Sequence, residues 1–192
     1  TIINCRMKNV YWGFEPRKGW RIADNKIITA DQGVRLSANI DNLIVARNSF
    51  YNVVYGVASN LGAGASVGAG IQIYGNDFLE VKVRESGSSN DAAIFLQRPK
   101  SALIYKNRIT SYGTGVAQWN SGIHLDSPEI NTLLHDNFIE VTAGSFLADV
   151  TLNRSAATDI SIHNNVFSGE RIVIKGAGGA IRWGGKGITG QG

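Results

Sequence analysis

The sequence predicts an all-β protein, a right-handed parallel β-helix (a solenoid) of about seven coils with an Asn ladder along one corner. Two observations predict this fold. The triplet Asn-x-(Ile/Phe) recurs six times along the chain, and apolar residues occupy fixed positions on both sides of every copy. The composition agrees, because 23 Gly and only 3 Pro among 192 residues suit short strands joined by tight turns.

The repeat is defined by its anchor residues. The triplets begin at Asn25, Asn48, Asn76, Asn107, Asn137 and Asn165, and Cys5-Arg6-Met7 is a seventh, degenerate copy. An aliphatic residue lies three positions before each anchor and a large apolar residue two positions after it, which indicates two short strands that meet at a bend. We expect the anchors to adopt the left-handed conformation, which Asn tolerates well. If coils stack about 4.8 Å apart, the anchor amides would hydrogen-bond as a ladder.

A second strand in each coil begins with a small or turn-forming residue followed by a β-branched one. Its copies are 33–36, 56–59, 93–96, 122–125, 149–152 and 180–183. Alternation puts Val34, Ile94, Ile123 and Val150 inside, and Arg35, Phe95, His124, Thr151 and Arg182 outside. A solenoid with a helix in each repeat is disfavoured because no interval has a helical period, and an antiparallel sandwich because Asn-Gly and Asp-Gly hairpin signals are absent.

The domain prediction is one β-helix over residues 1–185 and a Gly-rich exit or linker over 186–192. Residues 1–5 already have the pattern of a strand, so we expect the chain to belong to a longer protein. The sequence has no apolar run long enough for a bilayer and no visible signal peptide, so no membrane insertion is expected. The net charge of +4 comes from scattered basic residues, which gives no support to a nucleic-acid partner.

The anchors from Ile22 to Ile27, Ile73 to Phe78 and Ile162 to Phe167 resemble the coils of the pectin-lyase-like β-helix superfamily. Within that superfamily, the chain is most similar to the β-helical body of bacteriophage tailspikes. The resemblance covers roughly residues 2 to 185, and it implies a fold rather than a chemistry. It also implies a homotrimer that binds and cuts bacterial surface polysaccharide. No catalytic motif of the family matches these residues, so no site is carried over.

The candidate site is the polar outer groove around His124. The predicted catalytic residues are Asp126, His124, Asp149 and Glu129, and the predicted substrate-binding residues are Arg35, Asn60, Phe95, Gln97, Arg98, Asn153 and Arg182. Asp126 with Asp149 or Glu129 would form the acid/base pair of a glycosidase. In a lyase, His124 would be the base and Arg98 would neutralise a uronate. The alternative is that these carboxylates are ordinary solvated or turn-capping groups. No cofactor and no metal ion are expected.

Two further columns are predicted on the outside of another strand. Tyr74, Tyr105, His135 and His163 occupy the same position in successive coils, which favours structural stacking over a sugar platform or a metal site. Ile44, Leu103 and Leu133 lie two positions upstream and would form an apolar stripe, which indicates a homo-oligomer. The four tryptophans are expected to fill the core or the turns.

The sequence therefore favours a carbohydrate-active, tailspike-like protein that binds and depolymerises bacterial polysaccharide of the capsule or O-antigen type. It would be located in the virion tail or outside the cell. One alternative is a secreted bacterial polysaccharide lyase or epimerase. Another is a non-catalytic receptor-binding or structural rod.

Overall fold

The computed structural model describes residues 1–59, 61, 65–82, 91–112, 121–128, 131–140, 148–153, 159–167, 172–175 and 180–184. These residues form β-strands and turns, and none of them lies in a helix. The strands are numbered β1 to β21 along the chain.

A sheet of eight short strands contains the residues that precede each anchor. Its strands, in spatial order, are β1 (Ile2–Ile3), β3 (Arg21–Ala23), β5 (Ile44–Ala46), β8 (Gln72–Tyr74), β12 (Leu103–Tyr105), β15 (Thr132–His135), β18 (Asp159–His163) and β21 (Ala180–Gly184). The order follows the sequence, so each repeat lies beside the next one. We call this the short-strand sheet.

A second sheet of eleven strands contains the residues that follow each anchor, and we call it the long sheet. It comprises β2 (Arg6–Phe14), β4 (Lys26–Leu36), β6 (Ser49–Ser59), β9 (Asp77–Lys82), β10 (Ala92–Gln97), β13 (Arg108–Tyr112), β14 (Ser121–Asp126), β16 (Phe138–Glu140), β17 (Ala148–Asn153), β19 (Val166–Phe167) and β20 (Ile172–Lys175). The first half of β6 pairs with β9 and its second half with β10. A small third sheet pairs β7 (Gly68–Ala69) with β11 (Pro99–Lys100).

All pairings between the described strands are parallel, and each joins a repeat to the next. The structure is consistent with a β-helix or solenoid, and it confirms the prediction of an all-β fold. It also excludes the antiparallel sandwich for the described strands, because consecutive strands do not form hairpins.

The core contains the apolar residues predicted on both sides of the anchors. The aliphatic row three positions before the anchors is fully buried from the second repeat onward: Ile22, Val45, Ile73, Ile104, Leu134 and Ile162. The row two positions after the anchors is buried from Ile27 to Ile139, and it includes Phe50 and Phe78, whose rings stack 4.8 Å apart. Val34, Ile94, Ile123 and Val150 also lie in the core, as predicted.

The anchor residues form the predicted ladder. The Nδ2 of each Asn donates to the Oδ1 of the next one at 2.9–3.0 Å, from Asn25 through to Asn165. The same Oδ1 atoms accept the backbone N–H of the preceding anchor, and Cys5 takes part through its N–H to Asn25 Oδ1 at 2.8 Å. Because the anchors are buried, the ladder satisfies polar groups that water does not reach.

The prediction that the anchors themselves are left-handed was wrong. The positive φ angle belongs to the residue immediately before each anchor in all seven repeats: Asn4, Asp24, Arg47, Gly75, Lys106, Asp136 and Asn164, with φ between 53° and 61°. That column tolerates charged residues because its side chains point to solvent. Asn is required at the anchor for its amide, which both donates and accepts, and not for its backbone preference.

Glycine in the second strand makes room for the aromatic core. A Cβ at Gly33 would lie 2.5 Å from Cδ1 of Phe50, and one at Gly56 would overlap the ring of Phe78. The next repeat has Ala93 at the Gly position and Ile109 at the Phe position. At Gly33 and Gly56, the small residue of one repeat therefore faces the large residue of the next.

Candidate functional site

The candidate site lies on the outer face of the long sheet, where β10, β14 and β17 pair in register. Phe95 lies beside His124, which lies beside Thr151, and Gln97 lies beside Asp126, which lies beside Asn153. Ile94, Ile123 and Val150 point from the same strands into the core. The structure thus brings together the two outward rows that the sequence predicted for these three strands.

The row that contains the aromatic rings of Phe95 and His124 is closed to solvent. His124 is only 4% exposed and Phe95 is 9% exposed, although both face away from the main core. Their rings meet edge to face with centroids 5.0 Å apart, and Phe95 also packs with Ala58, Ala92 and Tyr55 in a second apolar cluster. A substrate would reach the His124 imidazole only if the surrounding groups moved.

The polar row is partly committed to backbone contacts. The Gln97 amide oxygen accepts the N–H of Leu61 at 2.6 Å, and its N–H₂ group donates to the Leu61 carbonyl at 3.5 Å. This side chain, predicted to bind substrate, holds the preceding turn in place. Asp126 is half-buried and accepts the Ser127 hydroxyl at 3.3 Å, and its carbonyl accepts the N–H of Arg98 at 2.6 Å.

Several predicted site residues fall beyond what the structure describes. Asn60 and Glu129 lie outside the described residues. Asp149 and Asn153 belong to β17, and their side chains lie outside the description. The partner of Asp126 in the proposed acid/base pair is therefore placed by strand register alone, with Asp149 two residues before the Thr151 that lies beside His124.

Arg182 is not part of this face. The sequence pattern assigned 180–183 to the second strand of a coil, but β21 pairs with β18 in the short-strand sheet, with Arg182 beside Ser161. The strand beside β17 in the long sheet is β20. The prediction was wrong because the residues Ala-Ile-Arg-Trp fit the strand pattern of either sheet. Only the pairing of the strands shows which sheet they belong to.

Arg35 lies further along the same outer face and contacts an aromatic ring that the sequence analysis had assigned elsewhere. Its Cζ is 3.8 Å from the centroid of the Trp12 ring, which is the geometry of a cation–π contact. Trp12 is 46% exposed, so the expectation that it fills the core or a turn was wrong. Trp20, by contrast, packs against the core, as expected. Alternation counted from Arg35 puts Gln32 and the Trp12 that pairs with it on the inner face, so the strand pattern could not have found the exposure of Trp12.

The predicted Tyr-Tyr-His-His column is confirmed on the short-strand sheet. The rings of Tyr74, Tyr105, His135 and His163 stack in order, with centroids 4.8, 4.9 and 5.1 Å apart and planes within 17° of parallel. Each inner ring uses both faces on its neighbours, so a sugar cannot stack on them, and the column is structural. The imidazole of His135 lies 2.8 Å from Asp136 and, with its hydrogen bond and charge, lowers the pKa of that carboxyl.

The predicted apolar stripe is a row of half-buried residues with a polar interruption. Ile44 lies beside Gln72, Gln72 beside Leu103, and Leu103 beside Leu133. The row ends at Ser161 on the C-terminal side. It therefore presents two short apolar patches rather than a continuous one.

Among the described residues, no group of three or more His, Cys, Asp or Glu side chains is placed to hold a metal ion. In the same part of the chain, no helix is long and apolar enough to cross a membrane. Comparison of the chain with protein families, with curated proteins and with solved structures finds no match in any of the three.

Proposed function

We propose that this chain binds a bacterial surface polysaccharide along the outer face of the long sheet. The observation that carries the proposal is the pair of rows on adjacent strands, with rings at Phe95 and His124 and polar groups at Gln97 and Asp126. Sugars require amide and carboxylate groups beside an apolar surface, and the two rings, which are buried in the free protein, would contact a sugar once the surrounding groups moved. Rows that run across the strands also suit an elongated ligand.

We propose Asp126 as the group that cleaves the glycan, with Asp149 or Glu129 as its partner. Asp126 is the half-buried carboxylate of the polar row, and it accepts the Ser127 hydroxyl on the outer face where a glycan would lie. The burial of His124 counts against the lyase alternative, in which His124 would have to reach the substrate as a base.

The same burial favours a second candidate function, a non-catalytic receptor-binding rod. In that case His124 and Phe95 would only consolidate the outer face, and Gln97 would only hold the turn at Leu61. The rod would bind glycan and release no product.

The test is incubation of the chain with a panel of bacterial capsular and O-antigen polysaccharides. New reducing ends would indicate hydrolysis, and ultraviolet absorbance of unsaturated uronates would indicate a lyase. Asp126→Asn should abolish cleavage and leave binding intact. Asp77→Asn, an exposed carboxylate of the same sheet, is the matched control. Cleavage that survives Asp126→Asn would remove this residue from the mechanism, and binding without product would establish the rod.

For the larger architecture we propose a right-handed β-helix of about seven coils from a pectin-lyase-like, tailspike-type protein located in the virion tail or outside the cell. The parallel stacking of repeats and the Asn ladder support it. We also propose a homotrimer, supported by the half-buried Leu103 and Leu133 on the outer face of the short-strand sheet. A monomer by light scattering, measured on the full native protein, would contradict the trimer.

A further inference from the structure

The outer face of the long sheet carries a second constellation away from the His124 groove. Trp12, Gln32 and Tyr55 lie beside one another on β2, β4 and β6. Their side chains face outward, because Arg35 contacts the Trp12 ring and Tyr55 packs against Phe95 in the outer cluster. A polar amide thus lies between two aromatic residues in adjacent strands.

Gln32 is an unusual member of this row because its amide oxygen lacks a partner. The side chain is 6% exposed, and its Oε1 makes no hydrogen bond within the part of the chain that the structure describes. A buried acceptor without a donor costs on the order of 1–3 kcal/mol, so proteins seldom keep one without a use. A ligand hydroxyl or amide N–H would satisfy it.

Arg35 supplies a positive charge beside this acceptor. Its guanidinium lies on the Trp12 ring, and the ion pairs of the described residues do not include it. A guanidinium that is held flat and free of a carboxylate keeps its paired N–H groups for a planar anion. The protein's net charge of +4 favours the approach of an anionic ligand.

We propose that Trp12, Gln32 and Arg35 form a subsite for an acidic sugar residue. Arg35 would bind the carboxylate of the sugar in bidentate fashion, Trp12 would contact its apolar face, and Gln32 Oε1 would accept from a neighbouring hydroxyl or amide. Because Oε1 is covered in the free protein, the ligand reaches it only as neighbouring side chains move aside. This subsite rests on the proposed polysaccharide function and specifies its substrate as a uronate-containing glycan.

The experiment is a printed array of bacterial polysaccharides, neutral and uronate-containing, probed with the chain and its variants. Arg35→Ala should weaken binding to uronate-containing glycans roughly tenfold, the size of one lost charge-assisted pair. Trp12→Phe should remove most of the tryptophan fluorescence change that accompanies binding. The control is Tyr51→Ala, which removes another exposed ring of the same sheet and should leave binding unchanged.

Gln32→Leu separates a binding role from a structural one. Leucine has a similar volume and no acceptor, so the variant should have a higher melting temperature than the native chain and a several-fold weaker affinity. A lower melting temperature would show that the Gln32 amide stabilises the free protein and would overturn the subsite.

The remaining outcomes distinguish a failure of the subsite from a failure of the proposed function. Binding that is confined to neutral glycans, or that survives both Arg35→Ala and Gln32→Leu, overturns the subsite and leaves the proposed function standing. Binding of single-stranded nucleic acid in place of any glycan, or no binding to any polysaccharide of the array, overturns both.

Discussion

Removal of one amide from the middle of the Asn ladder should destabilise the whole chain. The Asn76 Nδ2 donates to Val45 O, Tyr74 O and Asn107 Oδ1 at 3.0–3.1 Å, and its Oδ1 accepts the N–H and the side-chain amide of Asn48 at 2.9 and 3.0 Å. Asn76→Ala removes all of these bonds at a site that is 1% exposed.

The magnitude follows from what each lost bond leaves behind. A buried N–H without an acceptor, here that of Asn48, costs about 1–3 kcal/mol, and each further net hydrogen bond contributes about 0.5–1.5 kcal/mol. Some orphaned groups keep other partners, since Asn48 Nδ2 still donates to Ile22 O and Tyr74 O still accepts from Arg47 N. We therefore expect a loss of about 3–5 kcal/mol in the free energy of unfolding.

The assay is urea denaturation followed by both circular dichroism and tryptophan fluorescence, whose transitions should coincide. Asn164→Gly is the matched control. It replaces an exposed Asn that has a φ of 54° with glycine, which occupies the same position of another repeat as Gly75. It should change stability by less than about 0.5 kcal/mol. A loss below about 1 kcal/mol for Asn76→Ala would refute the view that the ladder supports the fold.

Three further predictions concern other parts of the structure. Cys5→Asn should stabilise the protein by about 1 kcal/mol in urea denaturation, because the Cys5 Sγ already lies 3.5 Å from the Ile3 carbonyl that an amide would bind; unchanged stability would contradict this. Gly56→Ala should destabilise by about 2 kcal/mol or more, and Phe78→Leu in the same chain should restore part of the loss; additive losses would refute the steric account. The pKa of Asp136 is lowered, chiefly by its hydrogen bond with His135, so its contribution is present above the ordinary value of 3.8 and is lost as the pH falls through its folded value. The stability difference between the native chain and Asp136→Asn should therefore disappear in acid, and a difference that grows there would contradict it.

The stacking of the repeats could be predicted because it depends on residues that recur. The Asn anchors, the aliphatic row before them and the apolar row after them all lie where the spacing placed them. The position of the left-handed residue could not be found in the same way. Its column contains Asp24, Arg47 and Lys106 as well as Asn and Gly, so no residue type marks it.

The candidate site was harder to predict, because its burial depends on contacts between strands that are distant in sequence. Alternation placed Phe95 and His124 on the outer face, but a sequence pattern cannot predict the second apolar cluster that buries them there. Trp12 was predicted in the core because a large apolar side chain favours the interior. It is exposed because Arg35 contacts its ring at the surface.

The spacing of the anchors relates these two regions of the outer face. The first two intervals between anchors are 20 and 23 residues long, and the later ones are 28 to 31. In the short repeats the long sheet consists of single strands, β2 and β4, which carry Trp12, Gln32 and Arg35. In the four repeats that begin at Asn76, Asn107, Asn137 and Asn165, the single strand is replaced by a pair, such as β9 with β10 and β13 with β14, and the added residues precede in sequence the strands that carry Phe95 and His124. In the sequence, the insertions thus adjoin the strands of the buried row and not β2 or β4. We therefore expect the half-exposed Trp12 of the subsite to make the first contact with a glycan, and the long repeats to supply any chemistry.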